Sequence, residues 1–116
     1  MKLDHVAIES TDIDASVQWY KKMWDDAKVL YQDDTWAFLE SDGAKIAFIT
    51  PKQHPPHLAF RVENQEQDDF LNETFPNHGW RKHRDGSSSF YVRDPSGNFV
   101  EFIKYEDTQE DKEQSS

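Results

Sequence analysis

The sequence repeats itself. Residues 5–10 read HVAIES and residues 57–62 read HLAFRV. Both place His first and Ala third, with large apolar residues second and fourth. Further on, WAFLESDGAKIAFI at 36–49 and FYVRDPSGNFVEFI at 90–103 share an aromatic start, a turn and a closing Phe-Ile. The offsets between the paired segments are 52 and 54 residues, so two modules are implied, 1–51 and 55–105. A module of that size struggles to bury a core alone, so the pair is expected to form a single domain over 1–105. Residues 106–116, EDTQEDKEQSS, contain no apolar side chain and are expected to be a disordered acidic tail.

Each module reads as a strand, a helix and then two or three strands, an α+β pattern. The first strand is expected at 3–9. A helix over 13–24 follows, capped by Asp12 or Thr11, with Ile13, Val17, Tyr20 and Trp24 on one face. Strands at 28–32, 35–40 and 44–50 come next, the last two joined by a Ser41-Asp42-Gly43 turn. A proline-flanked linker, 52–56, leads into the second module. There the pattern gives a strand at 57–63, a helix at 65–76 and strands near 80–84, 89–93 and 98–105. Asn77-His78-Gly79 is expected to end the second helix, with Gly79 as its left-handed cap. Asp94-Pro95-Ser96-Gly97 is a turn by composition.

Charge and composition exclude several functions. With 23 acidic and 13 basic side chains, the formal net charge is −10. Nucleic acid and anionic membrane surfaces repel such a chain. No apolar run approaches the roughly 20 residues needed to span a bilayer, and MKLDHVAIES lacks a signal-peptide apolar region. A soluble, cytoplasmic protein is the expectation. There is no Cys, hence no disulfide, thiolate metal site or Cys nucleophile.

Side chains alternate across a strand. His5, Ala7 and Glu9 therefore share one face, and Val6 and Ile8 the other. In the matching strand His57, Ala59 and Arg61 oppose Leu58, Phe60 and Val62. The apolar sets suit faces covered by the helices. His5, His57 and Glu101 then lie on the opposite face, where Ala7 and Ala59 are expected to leave empty volume. Two imidazoles and one carboxylate form a facial set for a divalent ion and leave positions open for water or substrate. Fe, Mn, Co, Ni and Zn all remain possible.

At these residues the sequence resembles the vicinal oxygen chelate superfamily of glyoxalase, bleomycin-resistance, extradiol dioxygenase and fosfomycin-resistance proteins. LDHVAIES, HLAFRV and FYVRDPSGNFVEF carry the resemblance. It implies two tandem βαβββ modules forming a cupped mixed β-sheet with helices outside, a glyoxalase-like fold. It also implies that His5, His57 and Glu101 match the ligand positions, and that a homodimer is the usual assembly. Glyoxalase I takes a fourth ligand from the first module, and the 54-residue offset places Ala47 there. The similarity to extradiol dioxygenases runs through His83, Tyr91, Asp94-Pro95 and Glu101. It implies that His83 assists a bound oxygen and that Tyr91 hydrogen-bonds the substrate. Fosfomycin-modifying transferases share a Tyr and a Trp-basic pair comparable to Trp80-Arg81, but Ala7 replaces the Thr they use.

Around this set, Arg61 and Lys45 are candidates to meet an anionic substrate, and Trp36 with Phe38 to form an apolar wall. His54 and His78 are expected to serve the linker and a helix end. The leading reading is a metal-dependent lyase, isomerase or dioxygenase acting on a small oxygenated molecule. Its catalytic residues are Glu101, Tyr91 and His83. The alternative is a non-catalytic protein that sequesters a small molecule, as in bleomycin resistance. A third reading is a metal-free relic whose cup is a dimer interface.

Overall fold

A computed structural model describes residues 1–105; the expected acidic tail lies outside the described residues. The element order is β1 (Lys2–Glu9), α1 (Ile13–Met23), β2 (Lys28–Gln32), β3 (Trp36–Ser41), β4 (Ala44–Ile49), β5 (His57–Arg61), α2 (Gln65–Thr74), β6 (Arg81–Lys82), β7 (Ser88–Arg93) and β8 (Phe99–Lys104). The strands form one sheet in the order β2-β3-β4-β1-β5-β8-β7-β6. It is mixed, because β1 and β4 run parallel while the hairpin ladders run antiparallel. Each expected strand and both helices are present. The chain divides into two compact units, one of Asp4–Leu58 and one of Met1–Leu3 with the chain from Ala59 onward.

In the Asp4–Leu58 unit, α1 forms where the sequence offers a cap and a periodic apolar face. The Asp12 carboxylate accepts from the Ala15 N–H at 3.1 Å, supplying one of the partners that a helix N-terminus lacks. Asp14 in the first turn and Lys21 and Lys22 in the last oppose the partial charges of the helix ends. Ile13 and Val17 are buried against Ala37, Leu39 and Phe48, with Ile8, Tyr20 and Trp24 packed around them. The expected face is the one that is used. The β3–β4 hairpin turns on Asp42 and Gly43, with φ of 52° and 85°. Positive φ at both central residues is what the twist of a two-residue hairpin demands, and Asp-Gly meets that demand at least cost.

In the unit that begins at Ala59, the side chain of Asn64 caps α2 by accepting from the Gln67 N–H at 2.9 Å. Leu71 packs with Val62 and Phe90, and Phe75, Trp80, Val92 and Phe102 surround them. The second helix does not end at Gly79. Thr74 is its last residue, and the N–H of the capping residue Phe75 returns to Leu71 O at 2.8 Å. Pro76 explains the early stop: its ring disfavours helical geometry at Phe75, and it has no N–H to continue the ladder. Gly79 has no left-handed φ. A second expectation also fails. Leu58, assigned to a covered face, is 40% exposed, because the cluster under α2 is built from Val62 and residues beyond it.

The β7–β8 hairpin is fixed by Asp94. One of its carboxylate oxygens accepts from the Ser96 and Asn98 N–H groups, each at 2.9 Å, and the other from the Asn98 side-chain amide at 3.0 Å. These bonds, that of the Asn98 amide foremost, hold the Asp94 carboxyl below its ordinary range. Gly97 closes the turn at φ 90°, its N–H bonded to Asp94 O.

The two glycines separate turn chemistry from helix termination. Gly43→Ala is expected to lose about 1–2 kcal/mol in urea unfolding, since its left-handed φ strains any side chain. Gly79→Ala is expected to stay within about 0.5 kcal/mol of the parent, because open space surrounds it and no positive φ is required.

Candidate metal centre

The residues of interest sit on the central strands. In the Asp4–Leu58 unit, His5 of β1 and His57 of β5 stand edge to face, with ring centroids 5.7 Å apart. His57 is buried at 8% exposure. Its Nδ1 lies 2.9 Å from Pro55 O. A carbonyl only accepts, so in the neutral ring Nδ1 carries the proton and Nε2 keeps its lone pair. That is the state a metal-ligating imidazole requires. His5 Nδ1 lies 2.7 Å from the Asp4 carboxylate.

Beside His5 runs an aromatic row. Phe38 meets the His5 ring at 5.5 Å, Trp36 lies 5.8 Å from Phe38, and Tyr31 stacks on Trp36 at 4.6 Å. Trp36 and Phe38 also pack on the buried cluster of Ala7, Ala47 and Ile49. The volume expected beside Ala7 is correspondingly filled: Ala7 is buried under this cluster. Lys45 lies over Phe38, 5.6 Å from the ring centroid.

In the other unit, one face of the β6–β7–β8 ladder collects the remaining polar candidates. Tyr91 pairs with Glu101, and Ser89 pairs with both Arg81 and Ile103. Residues directly opposite share a face, as do residues two apart, so Arg81, Ser89, Tyr91 and Glu101 lie together. Glu101 is buried at 5% exposure, whereas Tyr91 is 39% exposed. Desolvation first, then the charge and the hydrogen bond of Glu101, push the Tyr91 hydroxyl well above its ordinary range; the positive charge of Arg81 works in the opposite direction. Tyr91 is thus a hydroxyl donor through the neutral and mildly alkaline range.

His83 Nε2 is hydrogen-bonded to the Ser89 hydroxyl at 2.7 Å. Asp85, whose carboxyl is held low chiefly by the Ser87 hydroxyl, braces the turn between them. Arg61 places its guanidinium over the Tyr105 ring at 5.7 Å. His78 bonds Phe75 O and lies against Phe90, and His54 is on the exposed linker. Phe38 pairs with Ala47 in the first hairpin and Tyr91 with Glu101 in the second. The 54-residue offset matches Ala47 to Glu101 but Ala37 to Tyr91, so the two hairpins differ by one residue in register.

Across these strands, His5, His57 and Glu101 each offer a donor atom, and all three atoms lie within 4.8 Å of one another. This donor set of two imidazoles and a carboxylate suits a divalent transition ion.

Neither a family model nor a curated protein matches the sequence. Solved structures do match. The fold is that of the vicinal oxygen chelate superfamily. A glyoxalase/bleomycin resistance protein/dioxygenase superfamily member from Vibrio splendidus 12B01 aligns with a TM-score of 0.63 at 17% identity, covering 86% of this chain and 96% of that one. Methylmalonyl-CoA epimerase from Mycobacterium tuberculosis aligns with a TM-score of 0.68 at 19% identity, covering 91% and 89%. The Streptomyces coelicolor epimerase in complex with 2-nitronate-propionyl-CoA gives 0.66 at 18%, covering 96% and 99%. Among the described residues no helix is long and apolar enough to cross a membrane.

Sequence reasoning missed Asp4, because alternation sends neighbouring residues to opposite faces.

The raised Tyr91 pKa has a consequence for stability. A group whose folded pKa exceeds its unfolded value contributes stability below the unfolded pKa, near 10 for tyrosine, and loses it as pH rises through the folded value. The melting temperature of metal-free protein should therefore fall as pH climbs above about 10. Tyr91→Phe should show a shallower alkaline decline in the same scan.

Proposed function

We propose that the protein is a metal-dependent enzyme that binds a small oxygenated substrate on one divalent ion held by His5, His57 and Glu101. The observation that carries this is the convergence of the three donor atoms within 4.8 Å. The Nδ1 bond of His57 to Pro55 O supports it by leaving Nε2 as the ligand atom. Three protein ligands leave coordination positions for two substrate oxygens. The ion, when bound, supplies Lewis acidity to those oxygens.

The chain's own residues supply the rest. Tyr91 donates its one proton in a hydrogen bond to Glu101 in the free site; on substrate binding that proton turns to a substrate oxygen on which negative charge develops. Glu101 has two carboxylate oxygens, so one serves as ligand while the other accepts from Tyr91 until substrate binds. Trp36 and Phe38 give an apolar flank beside His5. His83 acts through Ser89, which is bonded to its Nε2. With Ala47 opposite Phe38, Glu101 is the carboxylate left to act as base in an isomerase or epimerase reaction. Extradiol-type ring cleavage and glyoxalase-like lyase or isomerase turnover are the two reaction classes. The substrate panel includes catechols, 2-oxoaldehyde adducts and acyl thioesters, the last because solved neighbours are named for methylmalonyl-CoA. The reading includes a cytoplasmic homodimer, supported by exposed apolar side chains on α1 and β2, among them Trp19, Met23 and Leu30.

The aromatic row from Tyr31 to His5 favours a second reading, a protein that sequesters a planar small molecule without chemistry. Metal content decides between the two. Untagged protein is expected to hold one divalent ion per chain and to melt higher with added Fe(II), Mn(II), Co(II), Ni(II) or Zn(II). At 100 times Kd the gain is about 2.7 kcal/mol. His57→Ala should lose both effects; a parent without stoichiometric metal or a melting shift would leave the sequestering reading. Once a substrate is found, Tyr91→Phe should lower kcat by about 10²–10³, the cost of one donor to a developing oxyanion.

A further inference from the structure

Asp4 stands out among the buried polar side chains. It is 2% exposed, with its side chain fully enclosed, and its Oδ2 lies 2.7 Å from His5 Nδ1. Its Oδ1 lies 3.9 Å from the Lys45 ammonium, itself held over Phe38. Enclosing a carboxylate is costly unless charge and hydrogen-bonding partners compensate. A regular strand would also point Asp4 away from His5. The fold nonetheless encloses Asp4 and turns it toward His5, whose ring belongs to the donor set.

We propose that Asp4 is the positioning residue for His5 in the metal site, an inference that rests on the metal reading above. A carboxylate facing Nδ1 accepts the ring proton there. It thereby leaves Nε2 as the ligand atom, fixes the ring rotation and makes the imidazole a better donor. The two histidines are thus oriented by different means. His57 uses a main-chain carbonyl, which substitution does not remove, and His5 uses a side chain, which substitution does. Lys45 sets a positive charge 3.9 Å from the other Asp4 oxygen. Asp4 touches neither ion nor substrate in this arrangement, so its effect passes through His5.

The test uses Co(II) alone and the full chain. Asp4→Asn keeps the shape and an acceptor oxygen but removes the charge. It is expected to weaken Co(II) binding by about 10- to 100-fold. Asp68→Asn, which breaks a surface contact with Lys104, is expected to leave Co(II) binding unchanged. Nitrogen NMR of the metal-free protein supplies a readout that does not need metal. In the parent, both His5 and His57 should carry the proton on Nδ1. In Asp4→Asn, His5 should shift toward a mixture of tautomers while His57 does not change. Asp4→Asn that binds Co(II) as tightly as the parent overturns the proposal. So does a parent whose His5 carries its proton on Nε2, a measurement that requires no variant to fold. A parent that binds no Co(II) overturns the metal reading instead, and the tautomer comparison then decides the role of Asp4 by itself.

Discussion

The register of the β7–β8 hairpin governs what the second unit can do. Three bonds to the Asp94 carboxylate and the positive φ of Gly97 fix the turn, and the turn fixes which residues face each other. Tyr91 stands opposite Glu101 for that reason. A slip of one residue would send Glu101 to the other face and bring Val100 or Phe102 into its place. The Asp-Pro-Ser-Gly-Asn segment is thus a structural device with a chemical consequence: it delivers one carboxylate and one hydroxyl, in contact, to the same face.

Several polar residues are buried, and each depends on its partners. Asp4, His57, Ser89 and Glu101 are all buried, in a domain whose apolar clusters are small. Each needs hydrogen-bonding partners to be tolerated there. His57 has the Pro55 carbonyl, Ser89 has His83, Glu101 has Tyr91 and Asp4 has His5. An apolar residue at any of these positions would be simpler to bury.

Much of this was legible in the sequence, for physical reasons. Strand alternation is strict where a ladder is continuous, so the sequence alone places His5, His57 and Glu101 on the face opposite the apolar sets. The spacing of Ile13, Val17, Tyr20 and Trp24 gave α1 because an amphipathic helix needs that spacing. Asp42-Gly43 announced its turn through backbone geometry alone. The failures have physical causes as well. Gly79 looked like a helix cap, but Pro76 ends α2 earlier. Leu58 looked covered, but the packing under α2 begins at Val62. Ala7 looked like the floor of a void, but Trp36 and Phe38 cover it. The partnership of Asp4 with His5 breaks the alternation rule itself, so no pattern argument reaches it.

In the proposed site His5, His57 and Glu101 bind one ion together. X-ray absorption on the metal-loaded protein tests it most directly. The expected first shell is nitrogen and oxygen at about 2.0–2.2 Å, with the multiple-scattering signature of two imidazoles and no sulfur. One imidazole should disappear in His5→Ala and the other in His57→Ala. A shell without imidazole, or one that both variants leave intact, would contradict it.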